Sequence, residues 1–292
     1  MDGSSFFGGN RGKSTPASGH TVDRWISKLG LGTRGMAREW VRDGRLSLKD
    51  GVPIDSIEQF IGRRGDREPD FFLDGRLLVP DRPVVLAFNK PRGVLVSRTD
   101  PEGRRTVLDA LPIPPGLQSG VDISRIMPVG RLDMASAGLI LLTNRPSLFA
   151  PLLDPKRSVP REYRVQIRPA IRQPDLESGL KKGVWAKALG FAPVDCQVES
   201  ENRGSTWFRL RLVEGQNREI RRMFEYGGYS VLHLIRIRFG PFAIKDLPPG
   251  GLVDVTRWFF RDKIFLLDII LDRIRKGDII ELKEEGAGSM SD

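Results

Sequence analysis

A lone aspartate, Asp133, ends the tetrapeptide GRLD between two apolar stretches of the chain. The first stretch ends at Pro128 and Val129, and the second, residues 139–142, has the composition of a buried strand. An aspartate in a turn between strands most often caps the backbone with its carboxylate. The alternative is a carboxylate presented in a pocket for chemistry, which requires partner residues from other parts of the chain.

Three further stretches supply candidate partners: NKPRG at residues 89–93, PREYRV at 160–165 and EGQNREIRRMF at 214–224. Together with PVGRLDMASAGLILLTN at residues 128–144, and in chain order, they resemble the motifs of the ribosomal RNA pseudouridine synthases of the RsuA and RluB type. The resemblance covers about residues 84–257. Each motif is weak alone, whereas their ordered combination is highly specific.

The resemblance implies an isomerase that detaches uracil from its ribose, turns it and rejoins it through carbon 5, without cofactor or metal. Asp133 matches the essential carboxylate of the family. Attack on the anomeric carbon, addition to the base and deprotonation at the 2′ position each require one ionised carboxylate near the sugar. The sequence leaves these three routes open.

Two more residues complete a predicted catalytic trio with Asp133. Arg221 matches the basic residue that pairs with the aspartate in the family, and an ionised carboxylate in an enclosed pocket needs such a cation. A phosphate contact or a surface ion pair is the alternative for Arg221. Tyr163 matches the family's tyrosine, whose ring suits stacking on uracil and whose hydroxyl suits handling the carbon 5 proton. The alternative for Tyr163 is a place in the core.

The same resemblance predicts the surroundings of the trio. Arg131, Leu132 and Ile220 are expected to line the substrate pocket. Lys90, in the first motif, is expected to support the site and to contact RNA.

Arg218 and Arg222 lie in the opening turns of a predicted helix, where free backbone amides would help them bind phosphate. The chain also departs from the family pattern nearby. Arg145 and Pro146 follow LLTN where an acidic or amide residue and a glycine are usual, and Glu219 replaces the commoner glutamine. These departures bear on substrate fit more than on activity, because neither touches the predicted trio.

The charge of the chain favours a polyanionic partner. Its 47 lysines and arginines exceed its 37 aspartates and glutamates, which gives a formal charge of +10 and a pI of about 10.0. Nucleic acid is expected before a membrane surface. We therefore expect ribosomal RNA as the partner.

An arginine stripe lies near the N-terminus: Arg34, Arg38 and Arg42 recur on one face of a predicted helix, and Arg45 continues the row. The surrounding segment, residues 23–51, resembles the S4 RNA-binding domain that this family commonly carries. The stripe is therefore expected to bind RNA phosphates. A merely solvated helix face is the alternative.

Local signals predict two helices in this N-terminal part. The first runs over residues 22–29 and closes at Gly30, and the second lies between the N-cap Thr33 and the C-terminal Gly44. Its buried side is predicted from helical spacing and consists of Met36, Ala37, Trp40 and Val41.

The remainder reads mainly as strands. A helix is expected between a cap at Asn217 and a stop at Gly227 or Gly228. The predicted strands, chosen for alternation or β-branched content, are residues 84–88, 93–97, 138–143, 163–167, 206–212 and 231–238.

Many strands with few helices, in no regular alternation, predict an α+β fold. We expect a small helical S4-like domain followed by a pseudouridine synthase catalytic domain with a largely antiparallel central sheet. The expected organisation is a disordered leader at 1–20, the S4-like domain with its linker at 21–70, the catalytic domain at 74–257, and an extra helical tail with a loose C-terminus at 258–292.

Several classes of protein are disfavoured. The single Cys196 excludes a disulfide framework, and with only His20 and His233 a metal site is not expected. The chain has no P-loop or dinucleotide glycine fingerprint, which argues against a nucleotide-dependent enzyme. Charges interrupt residues 258–280 too often for a membrane span. A cytoplasmic monomer without a signal peptide is expected.

The expected function is isomerisation of a specific uridine in ribosomal RNA, of the large subunit before the small. A noncatalytic RNA-binding or ribosome-assembly factor that retains the fold is the alternative. The basic charge and the S4-like segment fit both equally. The presence of Asp133, Tyr163 and Arg221 together favours the enzyme, because a binding protein does not need all three.

Overall fold

The computed structural model describes residues 19–62, 67–112, 122–261, 264–265 and 267–283. The chain divides into two compact units, Met1–Pro80 and Asp81–Asp292. None of the helices within these described ranges is long and apolar enough to cross a membrane.

Within its described residues, 19–62 and 67–80, the first unit contains two α-helices, as predicted, but also five short strands. Thr33 caps the second helix by accepting a hydrogen bond from the Met36 amide at 3.1 Å, and Gly30 and Gly44 follow the two helices with positive φ. The helices are α1 (Val22–Lys28) and α2 (Arg34–Arg42), and the strands are β1 (Gly19–Thr21), β2 (Leu46–Leu48), β3 (Phe60–Gly62), β4 (Phe71–Leu73) and β5 (Arg76–Leu77). The two helices of the predicted S4-like domain are thus accompanied by short strands that the sequence analysis did not predict.

The core of this unit explains where it ends. Trp25, Ile26, Trp40 and Phe71 are buried together. Because β4, which begins just after the predicted linker, pairs with β2 and supplies Phe71 to the core, the unit extends to Pro80 rather than to residue 70. Residues 63–66 of that predicted linker lie outside the described residues, as do residues 1–18 of the predicted leader.

The second unit is built on a ten-stranded sheet in the order β10-β11-β9-β12-β8-β6-β14, with β7 on β8, β13 on β12 and β17 on β13. Its pairs are antiparallel except β12 with β8 and β13 with β17, so the prediction of a largely antiparallel sheet is confirmed. The strands are β6 (Val85–Lys90), β7 (Met127–Val129), β8 (Ala137–Thr143), β9 (Arg161–Arg168), β10 (Asp195–Asn202), β11 (Ser205–Leu212), β12 (Ser230–Phe239), β13 (Phe242–Asp246), β14 (Leu252–Asp254) and β17 (Ile280–Lys283), and a separate hairpin joins β15 (Phe260–Arg261) to β16 (Ile264–Phe265).

Short helical segments cover both faces of this sheet. The α-helices are α3 (Ala150–Leu153), α4 (Val184–Ala188), α5 (Glu219–Tyr226), α6 (Thr256–Phe259) and α7 (Leu267–Lys276), and a π-helical segment spans Asp175–Lys181. The predicted strand at residues 93–97 is absent. That segment instead forms an irregular loop whose Leu95 makes a single bridge to Thr106.

The central strand β8 is buried on both sides. Leu139 and Leu141 point into one core with Phe242 and Phe259, whereas Ile140 and Leu142 point into the other core, which contains Val165 and Phe208. Side chains alternate between the faces of a strand, so a strand in the middle of a covered sheet is apolar at every position.

The C-terminal segment is part of this unit rather than an added tail. Ile270 and Leu271 of α7 are buried in the core they share with Leu139, and β17 adds a parallel strand beside β13. The expectation of a separate helical tail from residue 258 was therefore wrong. Residues 284–292, at the predicted loose end, lie outside the described residues.

Candidate active site

Asp133 lies in the tight connection between β7 and β8. Gly130 takes a positive φ there, the Ser136 amide donates to the Asp133 backbone carbonyl at 3.0 Å, and the Gly93 amide donates to the Met134 carbonyl at 2.8 Å. Within the described residues no backbone amide donates to the Asp133 carboxylate, so the interpretation of this side chain as a backbone cap is not supported. The side chain is 38% exposed and remains accessible to a ligand.

Arg221 of α5 is the ionic partner of Asp133. Its Nε lies 3.7 Å from Oδ2 of Asp133, and its side chain is only 10% exposed. The terminal nitrogens donate to the carbonyls of Val231 and Ala135, at 3.2 and 3.3 Å. Burial lowers the pKa of Arg221 from its usual range, and the charge of Asp133 opposes this shift. A surface ion pair is thus ruled out as the explanation of Arg221, because the guanidinium is held inside the protein behind the carboxylate.

The start of α5 differs from the prediction. The N-cap is Arg218, with φ of 51°, and Asn217 lies in the preceding turn. Glu219, the first helical residue, reaches back so that its Oε2 accepts the Gln216 amide at 3.0 Å. No side chain among the described residues accepts a capping hydrogen bond at the start of this helix, and its N-cap is Arg218, so the prediction of Asn217 as the cap was wrong.

Tyr163 lies in the middle of β9, between Leu210 of β11 and Arg236 of β12. It is 9% exposed, and its ring joins the core on that face of the sheet while also lining a cleft. Among the described residues, none forms a hydrogen bond with its hydroxyl. Tyr163 therefore lies both at the edge of the core and at the cleft, so each of the two interpretations is correct in part.

A single cleft of about 970 Å³ brings most of the predicted site together. Leu132 and Ile220 are buried in its wall, at 8% and 5% exposure. The predicted residues that line it are Asp133, Tyr163, Arg131, Leu132, Ile220 and Arg218. Arg221 does not line the cleft itself. It contacts Asp133, which does.

Lys90 does not contact the solvent, so its predicted contact with RNA is contradicted. It is 0% exposed, and its ammonium donates to the carbonyls of Pro91 at 2.9 Å and Val94 at 2.8 Å. Burial lowers the pKa of Lys90 to about 8, with Asp133 opposing and Arg236 adding to the shift. Its predicted role as support beside the site fits this position.

The two remaining arginines of the α5 motif are exposed but differ in position. Arg218 lines the cleft and lies 3.4 Å from Glu225. Arg222 lies over the ring of Phe191, 5.0 Å from its centroid, and does not line the cleft. The structure therefore brings Arg218, but not Arg222, to the candidate site.

The arginine stripe of the first unit is exposed along α2, yet three of its four members are in ion pairs. Arg34 lies 2.9 Å from Asp23, Arg42 lies 3.0 Å from Asp43, and Arg45 forms a two-oxygen contact with Asp74. Arg38 is exposed and makes no ion pair among the described residues. Binding of RNA through this stripe remains a prediction.

Sequence reasoning missed two buried arginines in the cleft, and it treated Glu219 only as a departure from the family pattern. Arg161 and Arg236 are 7% and 3% exposed, and both guanidiniums lie over the ring of Phe239. Arg161 precedes Tyr163 by two residues, so strand alternation already places both on one face. Glu219 is 4% exposed, and burial raises the pKa of its carboxyl to about 7.

The fold and the site define a class: an α+β protein whose antiparallel sheet holds an accessible carboxylate, a buried arginine and a tyrosine at one cleft. A family model described as RNA pseudouridylate synthase matches residues 84–226. Ribosomal large subunit pseudouridine synthase B of Yersinia pestis is 34% identical over 251 residues, which cover 81% of this chain and 73% of that protein. The chain belongs to the RNA pseudouridine synthase family.

Two further comparisons define the extent of this likeness. Ribosomal large subunit pseudouridine synthase B of Pseudomonas aeruginosa is 33% identical over 239 residues, which cover 80% of this chain and 58% of that protein. This chain thus matches little more than half of the length of the Pseudomonas relative. A crystal structure of a pseudouridylate synthase matches with a TM-score of 0.51 and 20% identity, covering 82% of this chain and 97% of that one, which supports the fold.

Proposed function

We propose that this protein is an RNA pseudouridine synthase that isomerises a uridine of large-subunit ribosomal RNA, with Asp133 as the essential carboxylate. The observation that carries the proposal is the accessible Asp133 carboxylate at the cleft, 3.7 Å from the buried Arg221. The choice of RNA rests on the relatives, whose names specify the large ribosomal subunit.

Each member of the trio has a distinct task in this proposal. Asp133 acts at the sugar, since its carboxylate is exposed enough to meet ribose. Arg221 keeps that carboxylate ionised and oriented, because it is itself held by the Val231 and Ala135 carbonyls. Tyr163 offers a flat ring to the uracil, and its hydroxyl, which has no hydrogen-bond partner among the described residues, is available for the carbon 5 proton.

The RNA must present its target uridine outside a paired helix. A base stacked in a duplex cannot reach a carboxylate inside a cleft, so the nucleotide is extruded from a stem, loop or bulge. The arginine stripe of the first unit, in which Arg38 has no ion pair within the described part of the chain, supplies sequence-independent phosphate contacts. Because the proposed site is built from one chain, we propose a monomer, acting in the cytoplasm.

The test is incubation of the protein with ribosomal RNA made without modifications, followed by mapping of pseudouridine. We expect product at a defined uridine with the wild type. We expect the rate to fall by roughly 1000-fold or more with Asp133→Asn, as for loss of an essential catalytic side chain. Asp246→Asn, an exposed carboxylate at the end of β13, is the matched control and should retain full activity.

Three outcomes contradict parts of the proposal. A wild type that yields no product on ribosomal or transfer RNA sinks the enzymatic function. RNA binding without product supports the noncatalytic factor instead. Full activity in Asp133→Asn shows that another residue is the essential carboxylate.

A further inference from the structure

We infer that Arg236 is a substrate-binding residue of this cleft, which donates a hydrogen bond to a carbonyl oxygen of the extruded uracil. The inference rests on the proposed function and adds a base-recognising group to it. Arg236 lies on β12 between two parts of the site: it pairs with Tyr163 of β9 on one side and with Gly138 of β8 on the other. It lines the cleft together with Asp133.

The hydrogen bonds of Arg236 are incomplete in a way that indicates a ligand. Its Nε donates to the Leu139 carbonyl at 2.7 Å, and the guanidinium lies 5.0 Å from the centroid of the Phe239 ring. Neither terminal nitrogen has a hydrogen-bond partner among the described residues, and Nη2 is fully enclosed. Buried donors in folded proteins are nearly always paired, so an orphaned one needs an explanation.

The neighbouring Arg161 shows what a structural arginine looks like at the same site. Its guanidinium also lies over the Phe239 ring, at 5.2 Å, but Nη1 donates to the Val159 carbonyl at 2.9 Å and Nη2 to the Leu152 carbonyl at 3.4 Å. Arg161 is therefore satisfied by the protein. Arg236 is anchored at one nitrogen and leaves the remaining donors for something that enters the cleft.

The charges around Arg236 favour a ligand that carries or develops negative charge. The cleft and its wall contain buried cations at Lys90, Arg161, Arg221 and Arg236. The carboxylates that line the cleft are Asp133, Glu214 and Glu219, against which Arg131 and Arg218 add two further cations, and one oxygen of Glu219 has no hydrogen-bond partner among the described residues. Positive charge is thus in excess where the base must lie.

Isomerisation of uridine generates such a charge. The C1′–N1 bond breaks and the base keeps its electron pair, which is shared by O2 and O4 of the uracil. A ring electron pair then forms the C1′–C5 bond, C5 loses its proton and N1 gains one, so atoms and charge balance. A fixed guanidinium donor at O2 or O4 stabilises the detached base, as a preformed donor stabilises an oxyanion.

Gly138 secures the position of Arg236 beside the Asp133 turn. A Cβ on Gly138 would lie 2.2 Å from the backbone oxygen of Arg236 and 2.5 Å from its nitrogen. Glycine therefore lets β8 and β12 approach closely just after the turn that carries Asp133. Arg236 on β12 is therefore held beside the strand that follows the Asp133 turn.

The test compares the wild type with Arg236→Gln on RNAs whose target is uridine, 2-thiouridine or 4-thiouridine. Sulfur accepts hydrogen bonds poorly, so one of the two thio substitutions should slow the wild type. We expect Arg236→Gln to lower kcat by roughly 100-fold, more than it raises KM, the effect of losing one preformed oxyanion donor. The thio penalty should disappear in Arg236→Gln, because the shorter, neutral glutamine amide lacks the charged guanidinium donor that senses the sulfur.

Controls separate binding from folding. Arg164→Gln removes an exposed arginine on the opposite face of β9 and should keep the wild-type rate and thio penalty. The melting temperature of Arg236→Gln should stay within about 3 °C of the wild type. Arg236→Lys keeps the charge without the planar fork and should recover part of kcat; it replaces Arg236→Gln in the thio comparison if that variant does not fold.

The inference fails if Arg236→Gln retains kcat within about threefold of an active wild type. It also fails if no thio substitution slows the wild type. A thio penalty that is equal in the wild type and in Arg236→Gln contradicts it as well, and would indicate that Arg236 contacts a phosphate instead of the base. A wild type without product on any RNA overturns the proposed function instead, so the two failures are distinguishable.

Discussion

Asp133 and Arg221 form an ion pair in which the carboxylate is partly exposed and the guanidinium is buried. Asp133 is 38% exposed and Arg221 is 10% exposed. A buried guanidinium is costly unless its donors find acceptors, and the Val231 and Ala135 carbonyls supply them. The arginine is thus fixed by the protein, while the carboxylate keeps an open side for substrate.

The charge state of Glu219 should respond to pH in the physiological range. Its folded pKa is about 7, raised above 4.5 mainly by burial and further by Glu214, with Arg161 and the Gln216 amide opposing. The folded state therefore binds the proton more tightly than the unfolded chain. The stability this contributes is present below pH 4.5 and is lost as pH rises to about 7.

Glu219→Gln should remove this pH dependence and keep the hydrogen bond from the Gln216 amide, since glutamine retains an acceptor oxygen. We expect the free energy of unfolding of the variant, relative to the wild type, to rise by up to about 3 kcal/mol between pH 4.5 and 8. Urea unfolding at several pH values measures it. The control is Glu225→Gln, which removes an exposed carboxylate from the same helix. A parallel pH course for Glu219→Gln and wild type would refute the assignment.

At the scale of elements, the parallel pairing of β8 with β12 joins the two halves of the sheet. Both halves lie beside the candidate site. Gly138 lies in this pair with φ of 107°, and β8 leads directly out of the Asp133 turn. The β7–β8 connection and α5 supply the ion pair, while β9 supplies Tyr163. The site thus combines a turn, a helix and a strand that meet around the β8–β12 pair.

Gly138→Ala should disrupt this junction, because its Cβ would overlap the Arg236 backbone and its positive φ disfavours alanine. We expect the free energy of unfolding to fall by roughly 3 kcal/mol or more, with loss of pseudouridine formation. Gly190→Ala has a similar φ of 72° but open space around the added methyl group, and should cost about 1 kcal/mol. Denaturant unfolding measures both, and equal losses would show that the close approach is unimportant.

At the scale of the whole molecule, the formal charge of +10 is distributed over two units that serve one polyanionic partner in our proposal. In the second unit, Lys90, Arg161, Arg221 and Arg236 are buried in or beside the cleft. The first unit presents its arginines on the surface of α2. Electrostatic attraction of this kind sets affinity and its dependence on salt rather than sequence choice.

Arg38→Ala combined with Arg42→Ala should weaken RNA binding without abolishing the chemistry. We expect the slope of log affinity against log salt to become shallower by roughly 1 to 2, the loss of up to two phosphate contacts. Binding measured over a series of salt concentrations gives the slope. The control Lys181→Ala with Lys276→Ala removes the same charge from exposed ion pairs in the second unit. If both double variants change binding equally, the S4-like assignment loses its support.

The sequence by itself determined the class of fold, the family and the central residues of the candidate site. Ordered motifs name Asp133, Tyr163 and Arg221, and local signals such as the Thr33 cap and Gly44 predict α2 correctly. These signals are local or depend on order along the chain, so they can be read without coordinates. Alternation likewise predicts the long strands, because a covered sheet imposes its period on the sequence.

Only the tertiary structure decided which charged residues are buried and what the ends of the units contain. Arg236 reads as an ordinary surface arginine, and Lys90 as an RNA contact, until strand pairing encloses both. The segment after residue 258 reads as an appendage, yet β17 completes the sheet through pairing with β13. Burial and strand pairing depend on residues far apart in sequence, and no local pattern encodes which distant neighbour will cover a given side chain.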